Sequence, residues 1–263
     1  MTKQELRGPD AFQKSGGEAR DWFQGHLRTV LIAGGLVLLV GVAVALSGYL
    51  AQRNQENAAR ELSHALRLVE RPVEGDPQAA AATSAEEPPF KNSQEKNTAI
   101  VKAMEDFRAH HKDSPAENSA TLALADAQLH LAHYDDAVKL FGEYLKDAPA
   151  DDLLRTSATE GMGYSYEAKH DLDQAMQAFE QMSKESKTEF LAGMGMYHRA
   201  RILALKGQKQ AAADAFSEVQ GKFPAATAGH LAGERLALLS AEGVKPALVA
   251  APTVAAGGAD AGR

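Results

Sequence analysis

Cysteine is missing from all 263 residues. Disulfides, thiolate metal sites and a cysteine nucleophile are thereby excluded, and the chain is compatible with any redox compartment. Charge of one sign never gathers into a long run. Lys and Arg total 28 against 35 Asp and Glu, for a formal net charge of −7. Phosphate-binding loops are missing too: the GMG triplets at 161–163 and 193–195 lack the following Gly and Lys. No Ser sits in a nucleophile elbow. His130 and His133 stand three apart and His110 and His111 are adjacent, but neither pair comes with the Glu of an H-E-x-x-H zinc site. The carboxylate pairs Asp135-Asp136 and Asp151-Asp152 fall at expected helix starts, where capping and the macrodipole explain them. No catalytic, cofactor-binding or metal-binding residue is expected, nor a small-molecule substrate, and the chain reads as no enzyme.

One apolar run organises what is there. Residues 29–50, TVLIAGGLVLLVGVAVALSGYL, carry no charge. As a helix at ~1.5 Å per residue they would span roughly 33 Å, against ~30 Å for a bilayer's hydrocarbon core. Arg28 and Arg53 bracket the run, and Trp22, Phe23 and Tyr49 sit where amphipathic rings favour the headgroups. Ala43-Val44-Ala45 has the form of a cleavage site, but a cleaved leader would begin nearer Met1 with a shorter apolar stretch. The run is therefore read as a single transmembrane helix. Gly34, Gly41, Ala45 and Gly48 share one of its faces, where small residues admit a second membrane helix.

Charge divides unevenly around this helix. Residues 1–28 hold five basic and four acidic side chains, leaving 23 and 31 beyond, a net charge of −8. An acidic remainder is a poor ligand for nucleic acid or an anionic membrane face. Lys14, Arg20 and Arg28 before the run balance Arg53, Arg60 and Arg67 after it, so charge alone leaves orientation open. The commoner layout puts the short tail 1–28 in the cytoplasm and exports the rest.

Beyond the run, residues 51–71 keep helix formers. Ala58, Leu62, Ala65, Leu66 and Val69 form one stripe, which predicts a juxtamembrane helix. Four prolines then mark 72–95 as a flexible loop. From 96 to 241 one template recurs: an Ala, a Phe four positions on, and often a Pro eight further. The copies are Ala103–Phe107–Pro115, Ala137–Phe141–Pro149, Ala175–Phe179 with Lys187 in the place of Pro, and Ala212–Phe216–Pro224. Small residue and ring at i and i+4 share a helix face, giving a notch beside a knob. A second helix between copies carries Ala125, Gly163 or Ala200, and Ala132-His133, His170-Asp171 and Gly207-Gln208 mark the turns. Residues 227–241 are expected to cover the end of the stack, and the Ala/Gly/Pro-rich residues 242–263 to form a disordered tail.

This alternation resembles the tetratricopeptide repeat. It implies an all-α solenoid of helix pairs over 96–241, with 55–71 supplying the first helix of the first pair. Phe spacings of 34, 38 and 37 imply longer links after the second and third pairs. Aligned on their small residues, the first helices turn Asp126 and His130, Tyr164 and Glu167, and Tyr197 and Arg201 toward a common groove. The sites that clamp acidic carboxyl tails in chaperone-binding relatives here hold Ser119, Leu122 and Asp126, then Ser157, Glu160 and Tyr164, which would repel such a tail.

The whole layout, most closely EARDWFQGHLRTVLIAGGLVLL followed by ENAARELSHAL, is similar to the YfgM-type proteins of the bacterial inner membrane. That resemblance implies a membrane-anchored scaffold with a periplasmic repeat domain. Its partners would be Sec translocon subunits, a periplasmic chaperone or a membrane-anchored prolyl-isomerase-like protein, and unfolded exported chains. An adaptor in envelope assembly or cell division is the alternative, and a membrane-bound hydrolase a remote one.

Overall fold

The computed structural model describes residues 27–76, 88–112 and 114–247, with side chains of the first helix from Leu36 onward apart from Val37. The chain divides into two units, 1–57 and 58–263. Among the described residues lie nine helices: α1 (Leu27–Glu70), α2 (Ser93–His110), α3 (Pro115–His130), α4 (Tyr134–Asp147), α5 (Arg155–Ala168), α6 (Leu172–Glu185), α7 (Glu189–Leu205), α8 (Lys209–Lys222) and α9 (Thr227–Ala241). The fold is all-α, and the described residues make no β-ladder beyond an isolated bridge between Val73 and Phe90.

In the first unit, α1 leaves Leu36, Leu38, Leu39, Val40, Val42, Val44, Leu46 and Leu50 exposed. Ser47 returns its hydroxyl proton to the Val44 carbonyl at 2.9 Å, which removes one polar group from competition for water. Among the described residues, nothing beyond the helix's own backbone lies within 4 Å of a Cβ built on Gly41 or Gly48. Among the described residues no helix is long and apolar enough to cross a membrane. The side chains of 29–35, Gly34's position included, the tail 1–26, the loop interior 77–87 and the tail 248–263 lie outside the described residues.

In the second unit, Ala58, Leu62 and Ala65 of α1 are buried in one cluster with Ile100, Met104 and Phe107 of α2. The stretch read as loop is shorter than expected. Phe90 donates its amide to the Pro72 carbonyl at 3.0 Å, and α2 starts at Ser93 rather than 96. A capping pair sets that start: Asn92 accepts from the Glu95 amide at 2.8 Å while the Glu95 carboxylate accepts from the Lys91 amide at 3.1 Å.

From α2 to α9 each helix packs on the next, and α3, α5, α7 and α9 also touch in sequence. These four end in the same turn. Ala132, His170, Gly207 and Gly243 all have positive φ (62°, 61°, 74° and 89°). The following amide returns to the carbonyl five residues back: His133 to Gln128, Asp171 to Tyr166, Gln208 to Leu203 and Val244 to Leu239, at 2.9–3.0 Å. The stretch 227–241 thus ends as the first helix of a further pair does, more than a plain cover. At α4, Asp135 and Asp136 stand in the first turn, where the macrodipole favours them, but no side chain caps the helix; Asp135 pairs with Lys169, just past the end of α5.

Rings set into notches fill the core. Phe107, Phe141, Phe179 and Phe216 are buried, as are Ala137, Ala175, Ala212, Ala125 and Ala200, while Ala103 is half-buried against the same cluster. A Cβ on Gly161 would meet Phe141 Cζ at 2.3 Å, and one on Gly163 would meet Phe179 Cε1 at 2.7 Å. On Gly195 it would strike the backbone of α6, 2.7 Å from the Ser183 nitrogen. The link after the second pair is long, residues 148–154, but the one expected to be long after the third is only 186–188, the extra spacing lying in the helices that flank it. Lys187, standing there where the template has Pro, donates to the Asp151 carbonyl at 3.1 Å and ties the two links together.

Phe141→Ala should cost about 3–5 kcal/mol by thermal or denaturant unfolding, the range for emptying an aromatic core site. An unchanged melting temperature would refute the helix register. Gly207→Ala places a Cβ in left-handed backbone and should cost about 1 kcal/mol, whereas Ala132→Gly should be neutral or stabilising. Equal losses from both would show that the turns are not equivalent.

Candidate protein-binding groove

Because first helices stack on first helices, α5 and α7 together wall a groove of about 730 Å³. Tyr164 and Glu167 come from α5, Tyr197, His198, Arg201 and Leu205 from α7. A hollow of about 380 Å³ shares Arg201 and Leu205 and continues to Arg235 and Leu238 of α9, with Phe216 of α8 on its wall.

The polar groups in this groove are largely spoken for. Arg201 grips Glu167 with both nitrogens of its fork, the second contact measuring 2.5 Å. Both side chains are mostly buried, so the pair is a fixed wall rather than a free charge. The Tyr164 hydroxyl lies 3.0 Å from His198 Nε2 and 3.3 Å from Glu160 Oε1. Burial, then the neighbouring Glu160 carboxylate, push the Tyr164 phenol up to about 12. His198 is buried against Phe179 at 4.8 Å, and its Nδ1 has no hydrogen-bond partner among the described residues. Tyr197 rests on Phe216 at 5.8 Å and meets Arg235 Nε through its hydroxyl at 3.5 Å. Each groove aromatic thus leans on one of the core rings. Leu205 and Leu238 remain open to solvent, 55% and 59% exposed. Arg235 pairs with no carboxylate among the described residues.

Of the residues expected to face a common groove, the fold gathers Tyr164, Glu167, Tyr197 and Arg201. Asp126 and His130 lie outside this groove; they are exposed and pair with each other at 3.5 Å. His198, Leu205, Arg235 and Leu238 escaped sequence reasoning. The reason is an offset. The turns His170 and Gly207 are 37 positions apart, but Glu167 meets Arg201 and Tyr164 meets His198 at 34, so neighbouring first helices pair about one turn out of alignment. The signal was a column at 34-residue steps, Glu167, Arg201 and Arg235. Among the described residues no three His, Asp or Glu side chains converge to hold a metal ion.

Residues 195–226 match the tetratricopeptide repeat family, from within α7 to just beyond α8. Two solved structures are similar over 73% of this chain and 86% of theirs: a Podosopora anserina protein of nearly identical TPR-like repeats, named for a kinesin light chain, and a single-substitution variant of it. Both are 16% identical to this chain, with TM-scores of 0.48 and 0.49. No curated protein matches the chain. Its second unit is a tetratricopeptide-like stack of helix pairs, with a recognisable repeat at 195–226, and no enzyme family is indicated.

The groove has an alkaline signature. The unfolded chain releases the Tyr164 proton near pH 10 and the folded chain near 12, so between these the folded state holds the extra proton and loses stability as pH rises. Burial and the Asp152 hydrogen bond act on Tyr144 in the same direction. Melting temperature should therefore fall from pH 10 upward, and Tyr164→Phe should make the fall shallower. An identical slope in the variant would contradict the burial of this phenol.

Proposed function

We propose that this protein is a membrane-anchored scaffold that holds other polypeptides in the groove of its first helices. The carrying observation is the pair Leu205 and Leu238, large apolar side chains left in solvent on a concave face beside Tyr197 and Arg235. Exposed apolar side chains inside a groove are groups a partner can desolvate, and aromatic and Arg neighbours are the types that dominate protein contacts. A tetratricopeptide-like stack supports a protein partner in general terms.

Anchoring rests on α1. Exposed Leu and Val side chains from 36 to 50 would be costly in water, and the uncharged run begins at residue 29. The resemblance to YfgM-type proteins supports the finer reading. In it the stack lies on the periplasmic side of a bacterial inner membrane, beside the Sec translocon, and passes exported chains to periplasmic chaperones or a prolyl-isomerase-like partner. Gly41, Ala45 and Gly48 then offer the anchor's packing face.

A photo-cross-linking residue at Leu205 should yield adducts with exported polypeptides, one at the exposed Lys139 of α4 should not, and one at Ala45 should reach the Sec channel. Adducts from Lys139 alone would sink the groove assignment. Release of the intact protein by a carbonate wash, or protection of 96–241 from protease added to spheroplasts, would sink the anchored, exported layout.

A further inference from the structure

Two junctions of the stack expose apolar side chains that its core does not use. Leu153, at 74%, is the most exposed large apolar side chain among the described residues; Leu154 beside it is 47% exposed. Phe190, in the first turn of α7, is 53% exposed. These residues belong to the junctions α4–α5 and α6–α7, away from the groove described above.

The two junctions form one surface. Lys187 of the second donates to the Asp151 carbonyl of the first, and a hollow of about 230 Å³ between them is lined by Leu153, Thr156, Glu185, Thr188 and Leu191 among others. The first junction is held in place. Asp152 accepts from the Leu154 amide at 2.9 Å and the Tyr144 hydroxyl at 2.8 Å, and Arg155 donates to the carbonyls of Leu145 and Ala148. Asp152 and Arg155 thus fix the backbone on both sides of two leucines that face solvent. A link with no task beyond spanning this gap gains nothing from exposing them.

Charge identifies the occupant. Asp147 and Asp151 at the first junction, and Glu185 and Glu189 at the second, are exposed and form no ion pair among the described residues. The nearby cations are Lys146, Lys187 and Arg155, while Lys184 is matched to Glu180 at 2.7 Å. Carboxylates outnumber cations, so the rim attracts positive charge. An anionic lipid surface would be repelled. A second copy docking through the same patch would set like charges against each other.

We infer that this rim is a second docking surface, for a cationic amphipathic segment of a protein partner. The segment's apolar side chains cover Leu153, Leu154 and Phe190 while its Lys or Arg side chains reach Asp147, Asp151 and Glu189.

The test uses the full chain in zwitterionic nanodiscs and a fluorescent amphipathic helical peptide of leucine and lysine, with a leucine–glutamate peptide of the same pattern as control. Anisotropy should show the lysine peptide binding and the glutamate peptide not. Affinity should fall about 10-fold or more in Leu153→Ser/Phe190→Ser, the loss expected of central apolar anchors. It should also fall in Asp151→Lys/Glu189→Lys, and stay unchanged in Leu205→Ser, which separates the rim from the groove. Equal binding of both peptides, no effect of either rim variant, or loss only in Leu205→Ser would overturn the assignment. So would rim-dependent self-association, or rim-dependent binding to vesicles containing anionic lipid.

Discussion

The contact on which this architecture depends is a phenylalanine ring pressed against a residue with almost no side chain. Phe141 fills the space a Cβ on Gly161 would need, and Phe179 does the same at Gly163. Such close approach lets weakly amphipathic first helices share a dense core with strongly amphipathic second helices, because dispersion rises steeply as gaps close. It also leaves the second helices deeply notched: Ala137, Ala175 and Ala212 are buried beside their own rings. One ring per pair then anchors each layer, and α3, α5, α7 and α9 come into mutual contact as a consequence.

That mutual contact creates the groove. With neighbouring first helices about a turn out of alignment, Glu167 comes to rest beneath Arg201 and Tyr164 beneath His198. Their polar groups are consumed in making the wall, and Tyr164 is held in its protonated form by burial and by Glu160. What remains available toward solvent is apolar surface at Leu205 and Leu238 and the Arg235 guanidinium. A surface of this kind suits recognition of chain segments through shape and burial.

The features legible in the sequence are those that repeat within a single helix. Ala137 with Phe141 and Ala175 with Phe179 share a face at four-residue spacing, so helix type, pairing and the identity of the rings followed without coordinates. Contacts between pairs were harder. Matching residues at equal distances from their small residues missed His198 and Arg235, because the helices are shifted along one another. The turns at Ala132, His170 and Gly207 were legible, whereas Gly243 reads as part of the tail; at Ala132 and His170 ordinary side chains accept a strained φ that the returning amide bond holds. The start of α2 turned on two caps, Asn92 on the Glu95 amide and Glu95 on the Lys91 amide, set in a stretch whose prolines pointed to a loop. Leu153 and Phe190 belong to no repeating pattern in the sequence, and their exposure appears only in the structure.

The account's central claim is that the inner face of the first helices is where another polypeptide is held. Hydrogen exchange of the full chain, with and without reduced, carboxymethylated lactalbumin as an unfolded probe, tests it most directly. Added protection should fall on Tyr197–Leu205 of α7 and Arg235–Leu239 of α9, the segments bordering Leu205 and Leu238. Protection confined to the outer helices α4, α6 and α8, or none under saturating probe, would contradict it.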